Sequence, residues 1–445
     1  MYRNVVLFLT LPLFAQTWST STDMHTRFVP SVPVFGSMNS IHVDYTFRSK
    51  GIRVLRATDR LTGNGSDTTL VDQDWGLVGG SAEQNPWSPS GSRLLVSAAG
   101  GQIAVLDFDQ KHFRVSRVPC PPGNTAYDNK LGGLVLNYHG VKDAYFSRVS
   151  DDVVLGSDKV RYVNSYNIAT GATTMLWDSG ALSNGRLYSF STGMKDDTVA
   201  MATGGTKADT DTTVIWHQFS TGATRTLNTM LAFGKPIHNV RLSLEGRYVE
   251  IALTGGAGTP YVWDTATGIT TPLSPVGAGH RAAAYGAFLN AQGSPLDPTF
   301  APCLAKRWAG AFSNLTFACV AGWTYGSQPI DVHLNWADAV TPALAPVLSA
   351  AYWDDPSADP FVPGRQQTAA LNNELYAMSP ADGTVWRFGF VYATGGYSNF
   401  SYQPICTMTR AGDYAACSSN NAQTWGLAKS GNPRIDVKIF ELPLN

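Results

Sequence analysis

The sequence predicts an all-β protein, a β-propeller of most likely seven four-stranded blades with an enlarged insertion in the sixth. Three observations predict it. Two short turn phrases recur along the chain at a blade-sized interval, no segment holds a sustained 3.6-residue apolar period, and the composition is rich in Gly, Pro and aromatic residues while only 15% is charged.

The first phrase is read in Trp87-Ser88-Pro89-Ser90-Gly91, followed by the apolar run Leu94-Leu95-Val96. A Ser-x-x-Gly segment turns the chain so that the strands on either side pair as a hairpin. It returns in "LSLEGRYVEIAL" (242–253) and "MTRAGDYAAC" (408–417), and more loosely in "FSRVSDDVVL" (146–155) and "STGMKDDTVAMAT" (191–203). The second phrase centres on Gly171, Gly222, Gly268 and Gly383, and its middle copies are 51 and 46 residues apart. A four-stranded sheet cannot bury both faces alone, so repeats of this length stack around an axis.

Seven segments follow: 42–84, 85–118, 132–179, 186–229, 237–275, 279–392 and 400–442. Six and eight blades also fit, because the first and sixth segments are irregular. The C-terminal "RIDVKIFEL" (434–442) supplies only a third strand to the last blade, so residues between about Val32 and Phe47 are expected to complete it as the fourth.

Before the blades, Val5 to Ala15 is an uncharged run of about eleven apolar residues behind a single Arg3, too short to span a bilayer and suited to the core of a secretory signal peptide. Residues 1–20 are assigned to it, with cleavage between Ala15 and Thr22, and 21–445 to a single propeller domain whose insertion occupies about 276–370. The expected location is secreted or periplasmic, as a monomer with no membrane span.

An exported chain makes its cysteines presumptive disulfides. Cys406 and Cys417 are equidistant from the turn between Met408 and Tyr414 and fall opposite each other. Elimination pairs Cys303 with Cys319 and leaves Cys120 free.

With 32 basic and 33 acidic residues and no basic stripe, a nucleic-acid partner is excluded. There is no H-E-x-x-H, P-loop or G-x-S-x-G elbow. The loop "TGGTKADTDTT" (203–213) offers Asp209 and Asp211 without the Gly and distal Glu of an EF-hand, and reads as a polar hairpin loop. The long sixth segment, with Trp308, Trp323, Trp336 and Trp353, holds the ligand-binding candidates His280, His333, Asn335, Trp336 and Arg365. Positions 333 and 335 share one face of a strand. Trp336 offers a ring to stack on a ligand and Arg365 a cation for an anion. The two histidines offer hydrogen bonds or metal ligation, although each is equally suited to bracing neighbouring turns.

The paired phrases resemble the WD40-like repeats of TolB-type bacterial propellers from about Ser40 onward, and "QPICTMTRAGDYAACSSNNAQTWG" with "PRIDVKIFEL" resembles secreted bacterial propeller proteins. The resemblance implies blades rather than chemistry. Two functions stay open. One is a ligand-binding or scaffold propeller for a glycan or peptide, with no cofactor. The other is a carbohydrate-active enzyme similar in outline to polysaccharide lyases of the oligogalacturonate-lyase type, which need a base, a divalent cation and a basic side chain.

Overall fold

The structure is a computed structural model that describes residues 17–445 apart from 61, 63–74, 78–85, 99–102, 119–129, 132–133, 136–143, 208, 255–259, 274–280, 285–286, 293–302, 309–314, 320–329, 336–344, 354–362, 368–369, 395–402 and 429–430. Of the strands 303–308, 315–319 and 330–335 it describes the backbone. Cys120 lies outside the described residues.

Six four-stranded sheets and one five-stranded sheet, all antiparallel, follow one another along the described chain. Sheet I spans 75–117, II 144–178, III 188–228, IV 237–272, V 281–319 and VI 330–390; sheet VII joins 406–441 to 41–56. Within sheets I to VI the strands lie side by side in sequence order.

The recurring phrases are the hairpin turns of these sheets. The first joins a sheet's first and second strands: the N–H of Gly91, Gly246 and Gly412 donates to the carbonyl of Ser88, Ser243 and Thr409 respectively. The second joins third and fourth strands, with Gly171, Gly222, Gly268 and Gly383 each donating to the carbonyl four residues earlier. All seven glycines have positive φ. At Gly91 the absence of a side chain also lets sheets I and VII approach, since a Cβ there stands 2.8 Å from Thr409 Cγ2.

Apolar faces seal neighbouring sheets. Leu95 and Val105 meet Phe146 and Tyr166 between I and II, and Tyr145 and Val163 meet Phe190 and Val199 between II and III. Tyr248 and Val262 meet Phe288 between IV and V. Leu348 and Phe388 meet Met408 and Phe440 between VI and VII, and Val437 and Ile439 meet Leu94 and Leu106 between VII and I. First strands lie innermost, and those of V and VI touch each other.

Three expectations are corrected. Residues 279–392, expected as one blade enlarged by an insertion, contain two complete sheets, V and VI. Neither turn phrase recurs in that stretch before Ser379, so glycine turns did not mark the division. Segment 42–84 is not a sheet of its own: Trp75–Leu77 is the first strand of sheet I, and the strands before it belong to sheet VII. The fourth strand of sheet VII is Ile52–Arg56, paired with 436–441, while Ile41–Asp44 is a fifth strand outside it. The hairpin between them moves the closing strand beyond the expected 32–47.

Residues 17–20, assigned by sequence to the leader, are hydrogen-bonded to Pro443, Asn445 and Arg387. Trp18 is 2% exposed, forms a bridge with Leu444 and donates its indole N–H to the Gly412 carbonyl. From there the segment runs along sheet VI, with Ser21 bridging to Arg387 and Phe28 to Gln366.

Candidate functional site

Because the strands alternate in direction, connections from even-numbered to odd-numbered strands collect at one end of the ring, and the first hairpin turns collect at the other. At the hairpin end, Arg410 of sheet VII reaches past sheet I to donate to the Arg148 carbonyl of sheet II. At the connection end, Asp209 and Asp211 belong to the loop between the second and third strands of sheet III. Asp211 is fully buried, held by Arg186 and the Gly205 N–H, whereas Asp209 bonds His238.

The sequence-predicted residues divide between the ends. Arg365, exposed, lies at the connection end, in the connection before the third strand of sheet VI. The Arg365 carbonyl accepts from Val29 N–H. His333 sits within the inner strand of sheet VI and Asn335 ends it toward the hairpin end. His280 and Trp336 lie outside the described residues. Cys406 and Cys417 are joined by a disulfide, their Cα atoms 4.1 Å apart in directly opposed positions. Cys303 and Cys319 are likewise directly opposed across two strands of sheet V.

At the connection end, between sheets VI and VII, stands a polar network that sequence reading did not mark. Lys438, fully buried in the third strand of sheet VII, donates to the Val391 carbonyl and to Asn421 Oδ1, both at 2.8 Å. Its ammonium lies 5.0 Å from the Tyr392 ring and 5.4 Å from the rings of Phe35 and Trp425. Burial holds Lys438 well below the ordinary lysine range, with Arg56 adding to the shift and Asp44 opposing it. His42, beside Phe35, is also lowered by burial.

Asp436 accepts from Arg56, Arg434 and Thr58; burial pushes its carboxyl up against the pull of Arg434 and Arg56. Asn420 and Thr394 exchange hydrogen bonds, as do Asn373 and Ala393. Arg387 and Glu374, both fully buried, form a two-pronged ion pair at 2.7 Å for each prong.

The backbone here is strained. Leu371, Asn373, Tyr392, Asn421, Ala422 and Gln423 all have positive φ, six non-glycine residues in three neighbouring connections. Strain of this kind costs about 1–3 kcal/mol per residue and concentrates where chain geometry serves a site. A trace was present in the sequence: in "RIDVKIFEL", Asp436 and Lys438 alternate onto the face of Phe440, which an ordinary core strand would keep apolar. Among the described residues no three His, Cys, Asp or Glu side chains converge as metal ligands.

No protein-family model matches the chain, and no curated protein matches its sequence. In three dimensions it is similar to an oligogalacturonate lyase solved in complex with manganese, at 10% identity and a TM-score of 0.57, covering 94% of this chain and 99% of that one. It is also similar to the oligogalacturonate lyase of Vibrio parahaemolyticus, at 8% identity and a TM-score of 0.53, covering 92% and 98%. The sheets and these likenesses define an all-β protein of the β-propeller class.

Proposed function

We propose that this protein is a carbohydrate-directed propeller whose ligand is an acidic saccharide, taken at the connection end of the ring. The observation that carries the proposal is the strained, buried polar network between sheets VI and VII, a costly arrangement at one mouth of a closed β architecture. The names of the two similar structures support the choice of saccharide. Arg365 lies at the same end and supplies a cation for a uronate carboxylate.

Two uses of such a site are open to test. As a binding protein it holds the glycan and breaks no bond. As a metal-assisted lyase it needs a base and a cation, for which the sequence offers His280 and His333, whereas Asn335 ends its strand toward the other end of the ring; manganese in a similar structure favours a divalent ion. Export is part of the proposal, with the leader ending before Thr17, since Trp18 belongs to the core.

The test is to titrate purified protein with polygalacturonate, with and without manganese, following affinity and unsaturated products. Binding weakened in Arg365→Ala is expected. Product that vanishes in His333→Ala and on chelation assigns the lyase. Failure to bind any uronate polymer overturns the proposal.

A further inference from the structure

The side chain of Trp425 poses a question that the network around it does not answer. The residue is partly buried, and its indole Nε1 is shielded from solvent with no hydrogen-bond partner among the described residues. A buried N–H left unmade costs about 1–3 kcal/mol and in folded proteins usually marks a water or an ion.

Two basic side chains lie close to this ring. The Arg56 guanidinium lies 4.5 Å from the ring centroid and the Lys438 ammonium 5.4 Å. The neighbouring carboxylates are all hydrogen-bonded, and one of them, Asp436, is paired with Arg56 itself. Asp436 holds Arg56, Arg434 and Thr58; Asp44 accepts from the Thr46 and Phe390 N–H groups; Asp59 accepts from Met38 N–H and Thr62. His42, which also faces this cluster, adds no negative charge.

A cation over the ring draws on its electron density and makes the N–H edge a better donor. The residues that flank Trp425 along the chain, Gln423, Thr424, Gly426 and Leu427, are exposed.

We propose that the Trp425 Nε1–H, backed by Arg56 and Lys438, is an anion site that takes one monovalent oxyanion or halide at the connection end between sheets VI and VII. The shared chemistry is a single negative charge able to accept one strong hydrogen bond. Its source is a free ion or the carboxylate of a saccharide. In the second case the site deepens the acidic-saccharide proposal and rests on it.

The first test is thermal unfolding of the whole chain against increasing chloride, acetate, galacturonate and oligogalacturonate at constant ionic strength. A saturable rise in Tm is expected for wild type and no saturable rise for Trp425→Phe, which keeps an aromatic ring and removes the N–H. Saturation by chloride and acetate alone assigns a free ion; saturation by galacturonate and its oligomers at lower concentration assigns the saccharide. An equal response in Trp425→Phe, or no anion-specific response in wild type, overturns the site. Independently of the variant, a bromide-soaked crystal of wild type is expected to show a bromide within hydrogen-bond distance of Nε1, and bromide found only elsewhere overturns the site. Loss of polygalacturonate binding with halide binding retained sinks the saccharide proposal and leaves the anion site standing.

Discussion

Replacing Trp18 by Ala tests whether the first described residues hold the ring together. The indole is 2% exposed, packs edge-on against Trp386 at 5.2 Å and Phe388 at 5.4 Å, and donates to the Gly412 carbonyl at 2.8 Å. Truncating a buried aromatic to Ala costs about 3–5 kcal/mol. The carbonyl that loses its donor adds about 1 kcal/mol, for a total of about 4–6 kcal/mol. That is a large share of the roughly 5–15 kcal/mol available to a folded domain. In a chain of this size each kcal/mol moves Tm by about 1–2 °C, so Tm should fall by roughly 5–10 °C. Calorimetry at one scan rate, beside Phe28→Ala in the same segment, provides the control: Phe28 is 58% exposed, and its loss should stay within about 0.5 kcal/mol. A chain beginning at Thr17 should match wild type, and one beginning at Thr22 should match Trp18→Ala or fall below it. If Trp18→Ala melts within a degree of wild type, this segment does not close the ring.

Four further outcomes are expected. Replacing Cys406 and Cys417 together by Ala should cost about 2–4 kcal/mol in denaturant unfolding, and the difference should disappear under reductant. Gly246→Ala, with φ +83° and a Cβ 2.2 Å from Thr198 Oγ1, should destabilise more than Gly268→Ala, whose φ is +78° but whose Cβ meets nothing within 4 Å; Thr198→Ala should partly rescue only the first. Arg247 holds Asp264 down to about 2, so the pair stabilises the fold above the ordinary value of 3.8 and is lost as pH falls through about 2; Arg247→Ala should remove that acid-limb dependence, weakly because the pair is exposed. Lys438 has the opposite sense. Its folded value lies below the ordinary 10.5, the unfolded chain binds the proton more tightly in between, and stability should therefore rise with pH across that window, a rise that Lys438→Met abolishes in urea titrations.

What the sequence disclosed was local. The turn phrases survive as hairpins because Gly91, Gly171 and Gly268 need positive φ wherever they stand, and Cys406 meets Cys417 because a hairpin sets its own register. Sheet V, lacking those phrases, merged with VI in the reading. The closing strand was misplaced because Ile52–Arg56 pairs with residues near the far end of the chain, and no neighbouring residue records that partner. The polar network was hidden for the same reason: Arg56 finds Asp436 across 380 positions, and Lys438 becomes unusual only once Asn421, Tyr392 and Phe35 surround it. His333 and Asn335 stand on one strand, but the end of the ring to which each lies closer depends on topology.

Sheet VII joins strands that precede all the other sheets to strands that follow them, and this bears on the order in which the protein is built. During synthesis the strands 41–44 and 52–56 emerge before those of sheets I to VI, yet the partner of the second, 436–441, emerges after them. Until then Ile52–Arg56 presents an edge of unsatisfied backbone groups to whatever chain is nearby. Pairings of such long sequence separation form slowly, because most of the chain's loop entropy must be surrendered first. The sheets between can mature one after another while the ring stays open. Its two ends therefore meet in a final step, and a nascent chain stalled a few residues short of Asp436 should carry a nearly finished propeller that cannot lock.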